Sequence, residues 1–254
     1  MIKRYLSSAA LALGLFVAAL PAMAAEGGEG LPSAGTNVND QAALQRGAKL
    51  FFNYCVGCHS LKYVRYSRLA SDLGLSEDEV MTNLNFTGAK FGEPVISHMP
   101  VDGAKAWFGK DPPDLSLEAR AKGVDFIFNY LNSFYLDPTR PVGWNNTVFP
   151  NASMPNPLWE LQGLQVAVHG EAKPGQEATV EKLELQRPGR MTPEEFKAAT
   201  RDITTFLEYT AEPAALERQS VGVWVILFLA GLTFLLYLVK QEYWKDVHEQ
   251  HDEH

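Results

Sequence analysis

The chain has 254 residues, a formal net charge of −8 and an apolar content of 46%. An acidic balance of that size excludes a nucleic-acid binder, whose phosphate partner demands clustered basic side chains. The same −8 is the balance of residues 25–217 taken alone; it suits a basic protein partner met by long-range attraction, or serves plain solubility.

Met1-Ile2-Lys3-Arg4 precedes an apolar run from Leu11 to Leu20, which closes on Pro21-Ala22-Met23-Ala24. A basic start, a hydrophobic middle and an A-x-A site read as a secretory signal peptide over 1–24, cleaved after Ala24. The apolar run is too short for a membrane span. Residues 25–38 are rich in Gly, Ser and Pro and read as a linker. Asn39 or Asp40 can cap a helix that starts near Gln41. Leu44, Ala48, Phe51, Phe52 and Cys55 recur on one face of it.

That helix leads into Cys55-Val56-Gly57-Cys58-His59. C-x-x-C-H is the attachment signature of a c-type haem. The two thiols can form thioethers to the haem vinyl groups, and His59 then supplies a neutral imidazole as proximal iron ligand. Cys55 and Cys58 are also the only cysteines in the chain. A redox-active dithiol would use C-x-x-C after a strand of a βαβ unit. A zinc site would need further Cys or His ligands nearby. Both fit the surroundings less well than haem.

Ser60 to Leu73 is expected to continue as helix, carrying Lys62, Arg65 and Arg68 at steps of three. Ser76 and Glu79 form a capping box for a short helix. Gly88 to Pro113 has no clear period, Val124 to Tyr135 has a helical pattern, and Leu136 to Pro157 reads as loop. Leu164, Val166 and Val168, with Val180, Leu183 and Leu185, suggest a β-ribbon turning at Lys173-Pro174-Gly175. Thr192 caps a helix with Pro193 at its first position and Glu195 at its third. Its apolar face is Phe196, Ala199, Ile203, Phe206 and Leu207, and Pro213 marks its break.

Val221 to Val239 contains nineteen residues without a charge. Arg218 and Lys240 flank it, and Trp224, Tyr237, Tyr243 and Trp244 supply interfacial rings. This is the pattern of a transmembrane helix. The resulting divisions are a signal peptide 1–24, an exported haem domain 25–217, an anchor 218–240 and a polar tail 241–254. The tail's His248, His251 and His254 read as solvated side chains rather than a metal site. The signal peptide orients the chain in the inner (cytoplasmic) membrane, with the haem domain in the periplasm and the tail in the cytoplasm.

An electron-carrying haem commonly takes a second axial ligand, often Met. The candidates are Met81, Met99, Met154, Met191, His98 and His169. Met81 falls inside a predicted helix, Met191 at a helix start and His169 at a ribbon end. Met154 is the best choice, because Pro150, Pro155 and Pro157 stiffen its loop and reduce the entropy lost on holding the thioether. Met99 reads as a packing residue.

Four segments now match one family: C-V-G-C-H at 55–59, S-L-K-Y-V-R-Y-S-R-L at 60–69, W-F-G-K-D-P-P-D-L-S at 107–116 and F-P-N-A-S-M-P-N-P-L at 149–158. With the C-terminal anchor they make the chain resemble the cytochrome c1 family, the haem subunits of the cytochrome bc1 complex (ubiquinol–cytochrome c reductase). The resemblance implies one covalent haem c with Met154 as sixth ligand, a haem propionate paired with Arg120, and Pro112 and Pro113 near the haem edge. Some relatives carry Tyr where this chain has Phe126, which would remove one propionate hydrogen bond.

The fold implied is mainly α, a cytochrome c-like haem domain with a small β-ribbon insertion and one C-terminal transmembrane helix. The function implied is single-electron transfer from a Rieske iron–sulfur protein to cytochrome c, with the anchor packed on cytochrome b. There is no independent active site. A membrane-anchored c-type cytochrome of another oxidase or reductase, and an exported thiol–disulfide oxidoreductase, are the alternatives.

Overall fold

The computed structural model describes residues 30–170 and 179–244. The expected leader 1–24, the ribbon tip at Lys173-Pro174-Gly175 and the tail histidines lie outside the described residues. In chain order the elements are α1 (Gln41–Tyr54), β1 (Leu61–Arg65), α2 (Tyr66–Leu73), α3 (Glu77–Asn83), β2 (Pro94–Val95), α4 (Val101–Phe108), α5 (Glu118–Lys122), α6 (Val124–Asn132), β3 (Phe134–Leu136), β4 (Trp144–Asn146), α7 (Trp159–Gln162), β5 (Gly163–His169), β6 (Val180–Pro188), α8 (Pro193–Ala211) and α9 (Ala215–Tyr243).

The core forms where α1 crosses α8. Asp40 caps α1 by accepting from the Ala43 amide. Thr192 and Glu195 complete the expected capping box of α8, with Pro193 in its first turn. Both helices therefore start where their orphan amides are satisfied. Their buried faces meet in an aromatic cluster of Phe51, Phe52, Tyr66, Phe206 and Tyr209. Gly47 permits the close approach: a β-carbon there would lie 2.0 Å from the Asp202 carbonyl oxygen. Beside it, Arg46 clasps Asp202 through Nε (2.6 Å) and a terminal nitrogen (3.0 Å).

Tertiary contacts override the local pattern in four places. Ser60–Leu73 is not one helix. Leu61 and Val64 face the core from β1, which pairs antiparallel with β2, and α2 begins only at Tyr66. The Gly88–Pro113 stretch contains β2 and α4. The Val124–Tyr135 helix stops at Asn132, because Phe134–Leu136 joins a sheet of order β4-β3-β5-β6. The expected ribbon is β5 with β6, antiparallel from Gly163↔Pro188 to His169↔Val180. Finally, part of the expected linker is fixed. Ala34 is fully buried, its amide donates to Asp125 Oδ1 (2.6 Å) and its carbonyl accepts from Arg201 Nε (2.8 Å).

α8 ends at Ala211 and α9 starts at Ala215. Within α9, Val221–Tyr243 has a mean hydropathy of 2.4 and none of its apolar window is buried against the described residues. Such a helix requires an apolar surround.

Candidate functional site

The C-x-x-C-H segment is the turn that closes α1. The Cys55 amide donates to Phe51 O (2.8 Å), and Cys55 O accepts from the amides of Cys58 (3.0 Å) and His59 (2.9 Å). This tight return places Cys55, Cys58 and His59 on the wall of one cleft of about 300 Å³. Burial pushes the Cys55 thiol up to about 12 and raises Cys58 as well. Both thiols are therefore protonated at neutral pH, the opposite of an activated redox dithiol.

His59 is buried. Its Nδ1 lies 2.8 Å from Pro113 O. A carbonyl oxygen can only accept, so the proton sits on Nδ1 and Nε2 keeps its lone pair. Burial lowers the His59 pKa, which favours the neutral ring. A neutral, oriented imidazole with a free Nε2 is the form that binds metal.

The Pro113 carbonyl is itself held. Asp114 accepts from the Lys62 amide (2.9 Å) and the Ser116 amide (3.0 Å), while the Leu115 amide donates to Ser60 O (2.9 Å). On the other side, Ser97 Oγ donates to Gly57 O (2.8 Å), and the Ser97 amide donates to Ser60 Oγ (2.8 Å). The segment from Ser60 is thus gripped from both edges, which explains why it is strand.

Met154 reaches the same cleft from the 149–157 loop. Buried amides build that loop as well as its prolines. Asn145 Oδ1 accepts from the Asn146 and Asn151 amides (2.9 and 2.8 Å). Asn146 Oδ1 accepts from Val148 and Phe149, and its Nδ2 donates to Tyr130 O (2.8 Å). Asn156 donates to Gln162 Oε1 (2.6 Å) and accepts from the Leu158 amide (2.9 Å). Asn151 takes the left-handed conformation (φ 66°) that asparagine tolerates. Ile127 and Leu131 of α6, and Ile203 and Leu207 of α8, complete an apolar wall.

An imidazole lone pair, a thioether and two thiols on one apolar cleft fit an iron porphyrin with thioether links. A family model described as the cytochrome C1 family matches residues 34–93 and 188–247. Cytochrome c1 of Allochromatium vinosum is 50% identical over 239 residues, covering 94% of this chain and 98% of that one.

The chain belongs to the cytochrome c1 family.

Two further relatives bracket the similarity. A protein of Nitrosomonas europaea named ammonia monooxygenase gamma subunit is 41% identical over 209 residues, covering 82% of this chain and 85% of its own. Cytochrome c1 of Rhodospirillum rubrum is 32% identical over 243 residues, covering 82% and 83%. As a member of the cytochrome c1 family this chain is a membrane-anchored c-type cytochrome of the bc1 complex. Haem is the family's cofactor. The Pro112-Pro113 and Met154 segments lie between the two matched blocks of the family model, so their assignment rests on the cleft.

Of the residues singled out from the sequence, Cys55, Cys58, His59, Met154, Pro112 and Pro113 line the cleft. Arg120 does not: it is exposed on α5, and the cations on the wall are Lys110 and Lys122. Met81, Met99, Met191, His98 and His169 are also absent from the wall. The sequence reading missed Asp114, Ser116, Ser97 and the Asn145, Asn146 and Asn156 amides. The P-P-D-L-S and N-N segments named their neighbourhoods, but the decisive bonds of the first reach across some 50 residues to His59, Lys62 and Tyr63, whereas the asparagines bond mostly within their own loop.

Proposed function

We propose that this chain carries one covalently attached haem c and passes single electrons from a Rieske iron–sulfur protein to a cytochrome c. Cys55 and Cys58 would hold the haem through thioethers, and His59 Nε2 and the Met154 thioether would ligate its iron. The observation that carries this reading is the convergence of those four side chains on one apolar cleft, with His59 already fixed in the metal-binding tautomer by Pro113 O.

When bound, the haem supplies a one-electron ferric/ferrous couple. The chain's own residues set the conditions. The Pro113 carbonyl accepts a hydrogen bond from Nδ1–H and increases the basicity of the imidazole. Ile127, Leu131, Ile203 and Leu207 exclude water and lower the local dielectric. Lys110 and Lys122, on the cleft wall, would be the cations available to haem carboxylates, whereas Arg120 lies off that wall. The leader 1–24 would export residues 25–217 to the periplasm, and the helix spanning 218–240 would pack on cytochrome b in the inner membrane.

Two assays test this. Haem should remain on the polypeptide after acid–acetone extraction and denaturing electrophoresis, and should be lost from Cys55→Ala and Cys58→Ala. The native membrane complex should contain cytochrome b and a Rieske protein. A chain with two free thiols, or one isolated with a different oxidase or reductase, would reject the reading.

A further inference from the structure

One polar group on the cleft has no role in the account so far. Tyr130 lies on α6, one turn after Phe126, and both line the cleft. The two rings stack at 5.9 Å with an interplanar angle of 8°, and Phe134 meets Tyr130 edge-on at 4.9 Å. The ring is therefore clamped from two sides. Its hydroxyl takes no hydrogen bond among the described residues. Nor is it sealed among core atoms. Among the described residues, the buried side-chain polar atoms without a partner are Arg140 Nε and Glu208 Oε2. The phenol is thus partly buried, rigid, without a hydrogen-bond partner among the described residues and on the cleft wall.

A hydroxyl that a group filling the cleft shuts off from water must donate to that group or go unsatisfied. Burial pushes the Tyr130 pKa up to about 12, so the group remains a donor throughout the physiological range. Phe126, the neighbouring ring, has no donor to offer. A haem carries two carboxylates, and the remaining donors on the wall include the flexible lysines at 110 and 122. We infer that Tyr130 donates a hydrogen bond to a haem carboxylate, doing at position 130 what Phe126 cannot do at 126. The inference rests on the covalent-haem reading above.

The expected consequence has a sign. A donor on an ionised carboxylate holds that carboxylate's pKa down and offsets its negative charge at the iron, which favours the ferrous state. Removing the hydroxyl should lower the midpoint potential at neutral pH and move the pH-dependent part of the potential curve to higher pH. The experiment uses full-length membrane protein with attached haem. Tyr130→Phe, Tyr54→Phe and the unmodified chain are titrated potentiometrically across pH. The carboxylate bending bands are recorded by resonance Raman spectroscopy at equal haem content. Tyr54 supplies the comparison because it is a second phenol on the wall. The inference expects Tyr130→Phe alone to lower the potential and shift the carboxylate band. Unchanged potential and band in Tyr130→Phe overturn it. So does the same shift in Tyr54→Phe instead, which would move the donor to α1. An unmodified chain without attached haem overturns the parent reading as well, whereas attached haem with unaltered Tyr130→Phe properties overturns this inference alone.

Discussion

Gly47→Ala tests whether the α1–α8 crossing holds the cleft in shape. The added β-carbon would sit 2.0 Å from Asp202 O, 2.7 Å from its carbonyl carbon and 2.8 Å from Phe206 Cβ. Two of those are backbone atoms, so no side-chain rotation relieves the clash. A carbon–oxygen contact settles at about 3.3 Å, so the helices must part by roughly 1 Å. Overpacking of this kind costs about 1–3 kcal/mol, and the gap opened under Phe51 and Phe206 adds to it by forfeiting part of their dispersion contacts. With the two costs together near the top of that range, about 3 kcal/mol, and roughly 2–4 °C per kcal/mol for a domain of this size, Tm should fall by about 6–12 °C. Ile203 and Leu207 of α8 line the cleft, so the ferric absorption that reports a methionine–iron bond should weaken too. Two comparisons isolate the cause. At Gly92 a β-carbon meets nothing within 4 Å, so Gly92→Ala should stay within about 0.5 kcal/mol. Arg46→Ala removes the ion pair but leaves the crossing; its side chain is 57% exposed, so the loss should be under about 1 kcal/mol. Differential scanning calorimetry and visible spectra of the detergent-solubilised holoprotein give the readout. Gly47→Ala melting within a degree or two of the unmodified chain, with an unchanged spectrum, would refute the reasoning.

Met154→Leu should keep the haem attached but lower its potential and weaken its low-spin spectrum, while Met99→Leu should do much less; exchange of these behaviours would reassign the ligand. Asp114→Ala removes two acceptors that hold the Pro113 segment, at about 1 kcal/mol each, and should lower Tm by several degrees, which thermal melts can check against Asp114→Asn. Glu195 is held below the usual carboxylate range by the Thr192 amide and hydroxyl. Its folded pKa is depressed, so its contribution is present above the unfolded value of about 4.3. That contribution is lost as pH falls through the lower folded value, and Glu195→Gln should remove that part of the acid slope. Electron transfer to a soluble basic cytochrome c should slow steeply as salt rises, because exposed charges are screened over about 8–10 Å; a flat dependence under encounter-limited conditions would reduce the acidity to solubility.

What the sequence disclosed depended on the range of the interactions involved. The pentapeptide, the capping boxes at Ser76 and Thr192 and the apolar run after Val221 are local patterns, and each stands where the pattern placed it. The strand at Leu61–Arg65 was hidden because its partners, Val95 and the Asp114–Ser116 segment, lie some 30–50 residues away. Its evenly spaced Lys62, Arg65 and Arg68 imitated a helix face. Arg120 and Lys122 are two residues apart on a short helix, and only the turn of α5 decides which one meets the cleft. The prolines around Met154 were visible as stiffeners, whereas the asparagines that hold its loop looked like ordinary loop residues.

The join between α8 and α9 bears on how such a carrier can be served. Three residues, Glu212 to Ala214, separate the helix that lines the cleft from the helix that spans the membrane. The join is bridged by bonds from the Ala215 amide to Glu212 O and from Arg218 to the Glu212 carboxylate. Leu207, on the cleft wall, lies only one helical turn, about 5–6 Å, before α8 ends. A connection this brief has almost no reach, unlike a flexible linker whose span grows with its length. The haem cleft is therefore kept at nearly constant height above the bilayer. The travelling in any electron relay falls to the donor and the acceptor, which must each come to a stationary port.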